Sequence, residues 1–364
     1  MKQSKSLLNV AGIDIKIHWT FSLIILFILY TNMKAGLDAY QIGWSVLFVL
    51  SLFFCVTLHE LGHAMAAKRY GIKTKDITLY PIGGVARLEK MPENPKQELV
   101  VAFAGPLVNI IIAALLSPLL LHSGLENAAS ENALIIGATN FLPMLAIVNL
   151  WLALFNLIPA FPMDGGRVLR ALLAMKMGRL KATQTAAVIG KTIAIGFVIA
   201  GFYMNPFLIF IGLFIILGAQ AEANMVHSQF FISDLKAKDA LMTNYKTIEK
   251  DQLISDAVKL LLDGDEKKFL VTDAGKPFGV LTRDHIIKGI SNNGIDSPLH
   301  QVTDSELIYS TSNTSLNDVY ALFQQSQNPL ILIMDDGKLS GIIDAENIAE
   351  LIMVKEAQQK FSAA

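Results

Sequence analysis

The sequence contains little cysteine and little charge. Its single cysteine, Cys55, excludes a disulfide bond within the chain of 364 residues. Charged residues make up 17% of the sequence, whereas an average soluble protein contains about 25%. The formal net charge of −1 gives no indication of a nucleic-acid partner, and we expect none. Since 53% of the residues are hydrophobic, the composition indicates a membrane protein.

The hydrophobic residues are concentrated in the first two thirds of the chain. Long apolar runs extend to about residue 226, and from about residue 234 short apolar segments alternate with polar ones. We therefore predict a membrane domain over residues 1–230 and a soluble domain over residues 236–355. A membrane-spanning helix needs about 20 residues. Six spans are predicted, at about residues 19–32, 43–67, 97–121, 139–158, 184–203 and 206–226.

Short β-strands are predicted before the first span and after the second. Residues 12–17 alternate between apolar and polar side chains, which is typical of a strand. Residues 77–80 and 84–88 flank a turn around Pro81 and Gly83, so we expect a hairpin or small sheet there. The predicted fold is a polytopic α-helical membrane protein of about six transmembrane helices with a small β-sheet, followed by a soluble α/β domain.

A histidine motif lies in the second predicted span. His59 and His63 are four residues apart, so on a helix they lie on one face, one turn from each other. Two imidazoles in this arrangement can share a zinc ion, and Glu60 can act as the base for water at the metal. Polar side chains are costly in hydrocarbon and usually mark function. These three residues therefore predict a metal site in the membrane.

An aspartate just after the fourth predicted span is the third candidate ligand. Two prolines precede Asp164 and two glycines follow it, so we predict that it lies on irregular backbone, with a helix starting only at Val168. Irregular backbone at membrane depth has to be buried in protein or line a cavity. Asp164 can then meet His63 on one side of the membrane. Two histidines and one carboxylate leave one zinc position open for water, which is the catalytic arrangement.

Asn156 is a further candidate for the active site. It lies shortly before Asp164, so its amide can donate to the oxyanion that forms when water attacks a peptide carbonyl. The alternative role is an interhelical hydrogen bond within the bundle, as for Asn109 and Asn149.

Basic residues define the expected orientation. Lysines and arginines precede the first span, populate residues 68–96 and follow the fourth span, whereas the opposite loops carry only Lys34. The positive-inside rule therefore places both termini, the hairpin, Asp164 and the soluble domain on the cytoplasmic side of the cell membrane. Lys191 falls inside the fifth predicted span, so either that span starts later or Lys191 faces the protein interior.

Four motifs of the membrane domain resemble those of the site-2 protease family of intramembrane zinc metalloproteases. They are His-Glu-Leu-Gly-His at 59–63, Pro-x-Gly-Gly at 81–84, Ala-Gly-Pro-x-x-Asn at 104–109 and Asn-Leu-Ile-Pro…Pro-Met-Asp-Gly-Gly-Arg at 156–167. The resemblance covers about residues 10–226. It implies one zinc ion per chain and the following site residues: His59, His63 and Asp164 as zinc ligands, Glu60 as catalytic base and Asn156 as an active-site aid. It also implies regulated intramembrane proteolysis, in which peptide bonds in or near transmembrane segments of membrane-anchored proteins are hydrolysed.

Residues 236–355 contain an internal repeat, with units at about 236–293 and 299–355. Each unit reads helix, strand, glycine turn, strand and helix. This pattern resembles a tandem pair of cystathionine-β-synthase (CBS) domains. The resemblance implies a regulatory or dimerisation role, with homodimers formed through the pair and an adenine nucleotide bound in the cleft between the units.

The repeat departs from the ligand-binding pattern of that family. The family's Thr-x-x-Asp runs from Thr282 to His285 in the first unit and from Asp344 to Asn347 in the second. The resemblance assigns the first position to phosphate and the last to ribose, and a carboxylate beside a phosphate is repulsive. These departures argue against ordinary nucleotide binding, although Asp284 is available as a substitute. A docking or dimerisation module is equally compatible with the sequence.

Two other functions are compatible with parts of the sequence. A CBS-gated ion transporter or channel would use the histidines as an ion site, and a catalytically silent scaffold would keep the metal without hydrolysis. Glu60 beside a metal ligand, together with the downstream Asp164 and Gly165, favours the hydrolase, because a transporter has no need of a base next to its metal.

Overall fold

The structure is a computed structural model that describes residues 4–81, 83–89, 91–123, 135–264, 266–326 and 328–362. The chain divides into two compact units, residues 1–224 and 225–364, and each is described by itself. The division falls inside a helix, Phe207–Ile232, that begins in the first unit and ends in the second. The predicted domain boundaries near residues 230 and 236 stay predictions.

Helices dominate the first unit. Among the described residues these are α1 (Phe21–Lys34), α2 (Ala39–Arg69), α3 (Pro95–Ser123), α4 (Phe141–Asn156), α5 (Asp164–Met177), α6 (Arg179–Tyr203) and α7 (Phe207–Ile232). Four of them, α2, α3, α6 and α7, are long and apolar enough to cross a membrane, whereas α1 and α4 are shorter apolar helices. At about 1.5 Å per residue, α1 and α4 are shorter than the roughly 30 Å hydrocarbon core. The predicted helical membrane fold is confirmed, and the count of six spans stays a prediction.

The long helix α2 begins and ends at clear signals. At its start, the carboxylate of Asp38 accepts from the backbone N–H of Gln41 (2.8 Å), and the Gln41 side chain accepts from the Asp38 N–H (3.1 Å). This reciprocal cap satisfies two amides that the first turn leaves unpaired. Just beyond the other end, the chain turns through Gly71, whose φ of +76° favours glycine. The helix therefore runs unbroken past His59 and His63 and holds them one turn apart.

A four-stranded sheet belongs to the first unit. It consists of β1 (Ser4–Val10), β2 (Ile13–His18), β3 (Thr74–Tyr80) and β4 (Gly83–Leu88), in the order β1-β2-β3-β4. β2 and β3 are parallel, and the two outer pairs are antiparallel. The predicted first strand and the predicted hairpin are confirmed. β1 has no counterpart in the prediction, because its sequence lacks alternation and a bulge interrupts its pairing with β2.

The structure corrects the prediction for Asp164. Helix α5 begins at Asp164 itself, so the irregular backbone is confined to residues 157–163. The reason is the close packing that two glycines allow. A Cβ atom on Gly165 would lie 2.3 Å from the carbonyl oxygen of Ile158, and Gly166 is similarly crowded by the loop backbone. The first turn of α5 therefore lies against the preceding loop and fixes the position of Asp164.

Lys191 faces a neighbouring helix. It lies within α6, and its ammonium group donates a hydrogen bond to the side-chain oxygen of Gln220 on α7. Helix α6 begins at Arg179, ahead of the predicted start. Lys191 is half-buried and Gln220 is exposed, so their contact lies at the surface of the unit, and neither alternative for Lys191 is confirmed. The residues between the third and fourth predicted spans lie mostly outside the described part of the chain.

The second unit contains two equivalent sets of elements. The first set is β5 (Thr247–Glu249), α8 (Ile254–Asp263), β6 (Lys268–Asp273), β7 (Lys276–Thr282) and α9 (Arg283–Asn293). The second set is β8 (Ile308–Ser310), α10 (Leu316–Gln325), β9 (Leu330–Asp335), β10 (Lys338–Asp344) and α11 (Ala345–Ser362). The sheets have the matching orders β5-β6-β7 and β8-β9-β10, so the predicted internal repeat is confirmed.

The two repeats are interlocked. Met242, which precedes the first sheet, exchanges two backbone hydrogen bonds with Ile342 on β10 of the second. Asp304, which precedes the second sheet, exchanges two with Val280 on β7 of the first. Side chains from both sheets form a shared apolar core, which consists of Leu270, Val280, Leu330, Leu332 and Ile342. Each repeat therefore completes the sheet of the other.

Candidate metal centre and active site

Three buried ligand atoms converge between α2 and α5. The Nε2 atoms of His59 and His63 lie 3.1 Å apart, and Oδ2 of Asp164 lies 3.2 Å from the first and 3.1 Å from the second. The three residues are 6%, 5% and 7% exposed. Within the part of the chain that the structure describes, they are the one group of three such side chains close enough to hold a metal ion. The structure thus brings together the three ligands predicted from the sequence.

A backbone contact orients one of the two imidazoles. The Nδ1–H of His63 donates to the carbonyl oxygen of Val101 on α3 at 2.7 Å. Since Nδ1 carries the proton in this bond, Nε2 presents its lone pair to the cluster, as a metal requires. Nδ1 of His59 is buried and has no hydrogen-bond partner among the described residues. The orientation of His59 therefore depends on the cluster itself.

The arrangement fits a zinc ion. A tetrahedral zinc with bonds of about 2.0–2.1 Å places neighbouring ligand atoms about 3.3 Å apart, close to the separations of 3.1 and 3.2 Å in this cluster. Gly105 on α3 supplies the space for the two rings. A Cβ atom there would lie 2.2 Å from Nε2 of His63 and 2.7 Å from Nε2 of His59. The backbone of α3 therefore closes one side of the cluster.

Glu60 lies beside the cluster and in contact with the sheet. It is half-buried on α2, and a Cβ atom on Gly84 would lie 2.9 Å from its Cγ. Glycine therefore allows β4 to pass this close to the glutamate. Since no described strand pairs with the other side of β4, an open sheet edge runs beside Glu60.

Asn156 is the last residue of α4. Its Nδ2 donates to the carbonyl oxygen of Leu152 at 3.0 Å, within the same helix. Asn149 likewise donates to Leu145 at 2.8 Å. These two bonds lie within α4, and both the interhelical alternative and the oxyanion role of Asn156 stay predictions.

Sequence reasoning missed three contributions to the site. These are the Val101 carbonyl, the space at Gly105 and the close contact at Gly84. Both glycines belong to the quoted motifs, and a glycine inside a helix or strand indicates close approach of another group. The carbonyl leaves no signal in the sequence, because every residue type supplies one.

Contacts within the chain occupy the candidate nucleotide position of the second repeat. Oδ2 of Asp344 accepts from Nζ of Lys268 in the first repeat at 2.8 Å, and Oδ1 accepts from the backbone N–H of Asn347 at 2.7 Å. In the first repeat, Oγ1 of Thr282 accepts from the backbone N–H of His285 at 3.2 Å. Both positions therefore cap the helix that follows, and the second is also paired with a lysine.

A zinc-type ligand set inside a bundle of apolar helices, with a glutamate beside it, defines a membrane-embedded metallohydrolase. Residues 47–201 match the model of peptidase family M50, and residues 237–292 match that of the CBS domain. A zinc metalloprotease of Methanocaldococcus jannaschii is 34% identical over 363 residues and is aligned over 99% of both chains. The chain therefore belongs to peptidase family M50, the site-2 protease family.

Two further comparisons cover the separate parts of the chain. The solved structure of a site-2 protease from Methanocaldococcus jannaschii is 42% identical and covers 60% of this chain and 95% of its own, with a TM-score of 0.44. A CBS domain-containing protein of Bacillus subtilis is 29% identical over 122 residues, which are 33% of this chain and 87% of its own. Family membership makes the protein a multi-pass intramembrane zinc metalloprotease with a CBS regulatory domain, and it argues against the transporter alternative.

Gly105→Ala is expected to weaken metal binding while leaving α3 helical. The added Cβ would overlap both ligand nitrogens, so we expect zinc affinity to fall about 10–100-fold. Alanine is the better helix former, so the helix itself loses nothing. The measurement is zinc affinity of the purified protein by chelator competition, with thermal unfolding as a check on folding. Gly43→Ala on α2, where nothing lies within 4 Å of the added atom, is the control. Equal zinc affinities in the two variants would contradict the described packing.

Proposed function

We propose that His59, His63 and Asp164 hold one zinc ion and that Glu60 is the catalytic base. The observation that supports this assignment is the convergence of three buried ligand atoms within 3.2 Å of one another. When bound, zinc supplies a Lewis acid that makes water nucleophilic near neutral pH. The carboxylate of Glu60 takes the proton of the attacking water and passes it to the leaving amine.

Two neighbouring groups support this chemistry. The Val101 carbonyl holds the His63 ring in one orientation, which preserves the direction of the ligand lone pair. The amide of Asn156 is the proposed donor to the oxyanion that develops on the substrate carbonyl. A carboxamide nitrogen carries two hydrogens, so one N–H stays available while the other donates to Leu152.

The proposed substrates are membrane-anchored proteins, cleaved in or near a transmembrane segment. A peptide carbonyl in a substrate helix is hydrogen-bonded and shielded, so the substrate has to unwind before water can attack it. The unwound segment can add as a strand to the open edge of β4, which Gly84 brings against Glu60. Cleavage there would release the substrate from its membrane anchor, as in regulated intramembrane proteolysis.

The proposed orientation places the active-site end of α2, both termini and the CBS pair in the cytoplasm. α2 ends with Lys68 and Arg69. The sheet carries Lys16 and Arg87, each of which donates to the carboxylate of Asp76 at 2.7 Å. Loops with an excess of lysine and arginine stay on the cytoplasmic side, which supports this orientation.

We further propose that the CBS pair regulates or dimerises the protease without ordinary nucleotide binding in its second repeat. Lys268 and Asp344 pair at 2.8 Å across the two repeats. A phosphate placed at Asp344 would meet a negative charge. The first repeat has Thr282 at the equivalent position. Nucleotide binding in the first repeat is therefore the alternative, and equilibrium dialysis with ATP and AMP tests it.

Glu60→Gln is expected to abolish cleavage while zinc stays bound. The amide keeps the shape of the carboxylate but cannot accept the proton, so we expect kcat to fall about 10²–10⁴-fold. The measurement is cleavage of single-span test substrates in liposomes, with and without a zinc chelator. Glu89→Gln, at an exposed position just after β4, is the control. Wild-type cleavage by the Glu60 variant would rule out the assigned mechanism.

Prolines on β4 test strand addition. Successive N–H groups of an edge strand point alternately to the neighbouring strand and to the open edge. Of Val85→Pro and Ala86→Pro, one therefore removes an edge-facing N–H, and the other removes one that pairs with β3. We expect the variant that loses the edge-facing N–H to raise KM about 5–10-fold, the equivalent of one hydrogen bond, at unchanged thermal stability. The variant that loses the N–H paired with β3 should unfold at a lower temperature. Unchanged KM in both variants would exclude docking on β4.

Equilibrium dialysis of the full-length protein with ATP and AMP tests the CBS proposal. Asp344→Thr removes the negative charge and frees Lys268, so we expect it to raise nucleotide affinity about tenfold or more over wild type. Asp296→Thr, at an exposed position, is the matched control. If wild type binds either nucleotide tightly and Asp344→Thr changes nothing, the nucleotide binds away from Asp344, as in the first-repeat alternative. Tight binding by wild type that Asp344→Thr weakens would show that the second repeat binds nucleotide and would contradict the proposal.

A further inference from the structure

An ion cluster is centred on Arg170 of α5, six residues after Asp164. Arg170 is 0% exposed and Glu98 is 1% exposed. Nε of Arg170 donates to Oε1 of Glu98 on α3 at 2.7 Å, and its Nη1 pairs with Glu222 on α7. We call these three residues the Arg170 cluster. Since a guanidinium out of reach of water is tolerated only when it is paired, one side chain couples the positions of three helices.

Two of these helices also hold the proposed metal site. α5 carries Asp164. α3 carries Glu98 and, one turn further along, the Val101 carbonyl that accepts from His63. One more turn along α3 is Gly105, whose backbone packs against both imidazoles. A shift of α3 relative to α5 would therefore change the distance between His63 and Asp164.

The third helix supports the loop that leads into Asp164. A Cβ atom on Gly218 of α7 would lie 2.5 Å from Cδ of Pro162, so α7 packs tightly against this loop. The guanidinium carbon of Arg170 lies 5.1 Å from the ring centroid of Phe161, which is fully buried. Arg170 thus contacts the Asp164 segment through the loop as well as through its own helix.

We propose that the Arg170 cluster positions Asp164 relative to His63 and thereby sets the affinity and geometry of the metal site. The proposal rests on the ligand roles assigned under the proposed function. The guanidinium is planar and presents its donors in a fixed fork, so its bonds fix direction as well as distance. A buried ion cluster adds little stability compared with an apolar core, which favours a role in geometry over one in stability alone.

Conservative single variants give the first test. We expect Arg170→Lys, Glu98→Gln and Glu222→Gln each to weaken zinc binding about 10–100-fold, measured by chelator competition on the full-length protein. The visible absorption spectrum of the cobalt-substituted protein reports ligand geometry and is expected to shift. We expect kcat to fall with KM little changed, because the ligands act on the reacting atoms. Wild-type zinc affinity and spectrum in the folded variants would overturn the proposal.

An apolar variant of the Arg170 cluster tests whether the cluster positions the metal ligands or only stabilises the fold. The triple variant Glu98→Met, Arg170→Leu, Glu222→Met removes the three charges of the cluster together, a change that is often neutral for stability. We expect it to unfold near the wild-type temperature and to bind zinc about tenfold or more weakly. Full zinc affinity in this variant would show that the cluster is a stability element alone. If the triple variant does not fold, the single variants decide.

Two controls keep the outcomes apart. Lys191→Met removes the hydrogen bond between α6 and α7 without touching the cluster, and we expect it to bind zinc as wild type does. His59→Ala tests the ligand assignment itself. If it binds zinc as tightly as wild type, the proposed function fails whatever the cluster does. If it loses zinc while the cluster variants do not, only the positioning proposal fails.

Discussion

The cost of placing polar atoms among apolar helices governs the first unit. An isolated carboxylate or imidazole in such surroundings costs several kcal/mol unless it finds a partner. Here the partners are one another: Oδ2 of Asp164 lies within 3.2 Å of both imidazoles. His63 in turn donates to the carbonyl of Val101. Apart from Nδ1 of His59, which has no partner among the described residues, these atoms pair with one another. Helices α2, α3 and α5 are therefore tied to one point, and the rest of the bundle has to pack around it.

This convergence requires helices to approach more closely than ordinary side chains allow. A Cβ atom on Gly62, between the two histidines, would lie 2.9 Å from the carbonyl oxygen of Ala104 on α3. Gly105 leaves room for the two rings from the opposite helix. Lipid provides no hydrophobic drive between helices, so close contact at small residues is a principal source of attraction. The glycines around the site are therefore a steric condition for the ligand cluster and not a source of flexibility.

The sequence predicted the grouping of His59, His63 and Asp164 but not the packing contacts around it. The four-residue spacing of His59 and His63 determines their common face on any helix, so no tertiary information is needed. The start of α5 was predicted wrongly, because glycines that usually break a helix serve here to pack its first turn against a loop. Arg170 meets carboxylates 72 and 52 positions away, and no periodic pattern marks such a pairing. β1 depends in the same way on its partner strand.

The two repeats of the second unit show how residues at equivalent positions can share one role and differ in charge. Thr282 and Asp344 both cap the helix that follows them, and a hydroxyl and a carboxylate are comparably good caps. Either residue therefore serves the fold equally well as a cap. A phosphate would be repelled by Asp344 but not by Thr282, because only the carboxylate is negatively charged. Interlocking of the sheets keeps Lys268 of the first repeat 2.8 Å from Asp344 of the second. A contact between the repeats thus occupies this position, and a ligand would have to break this ion pair before it could bind either side chain.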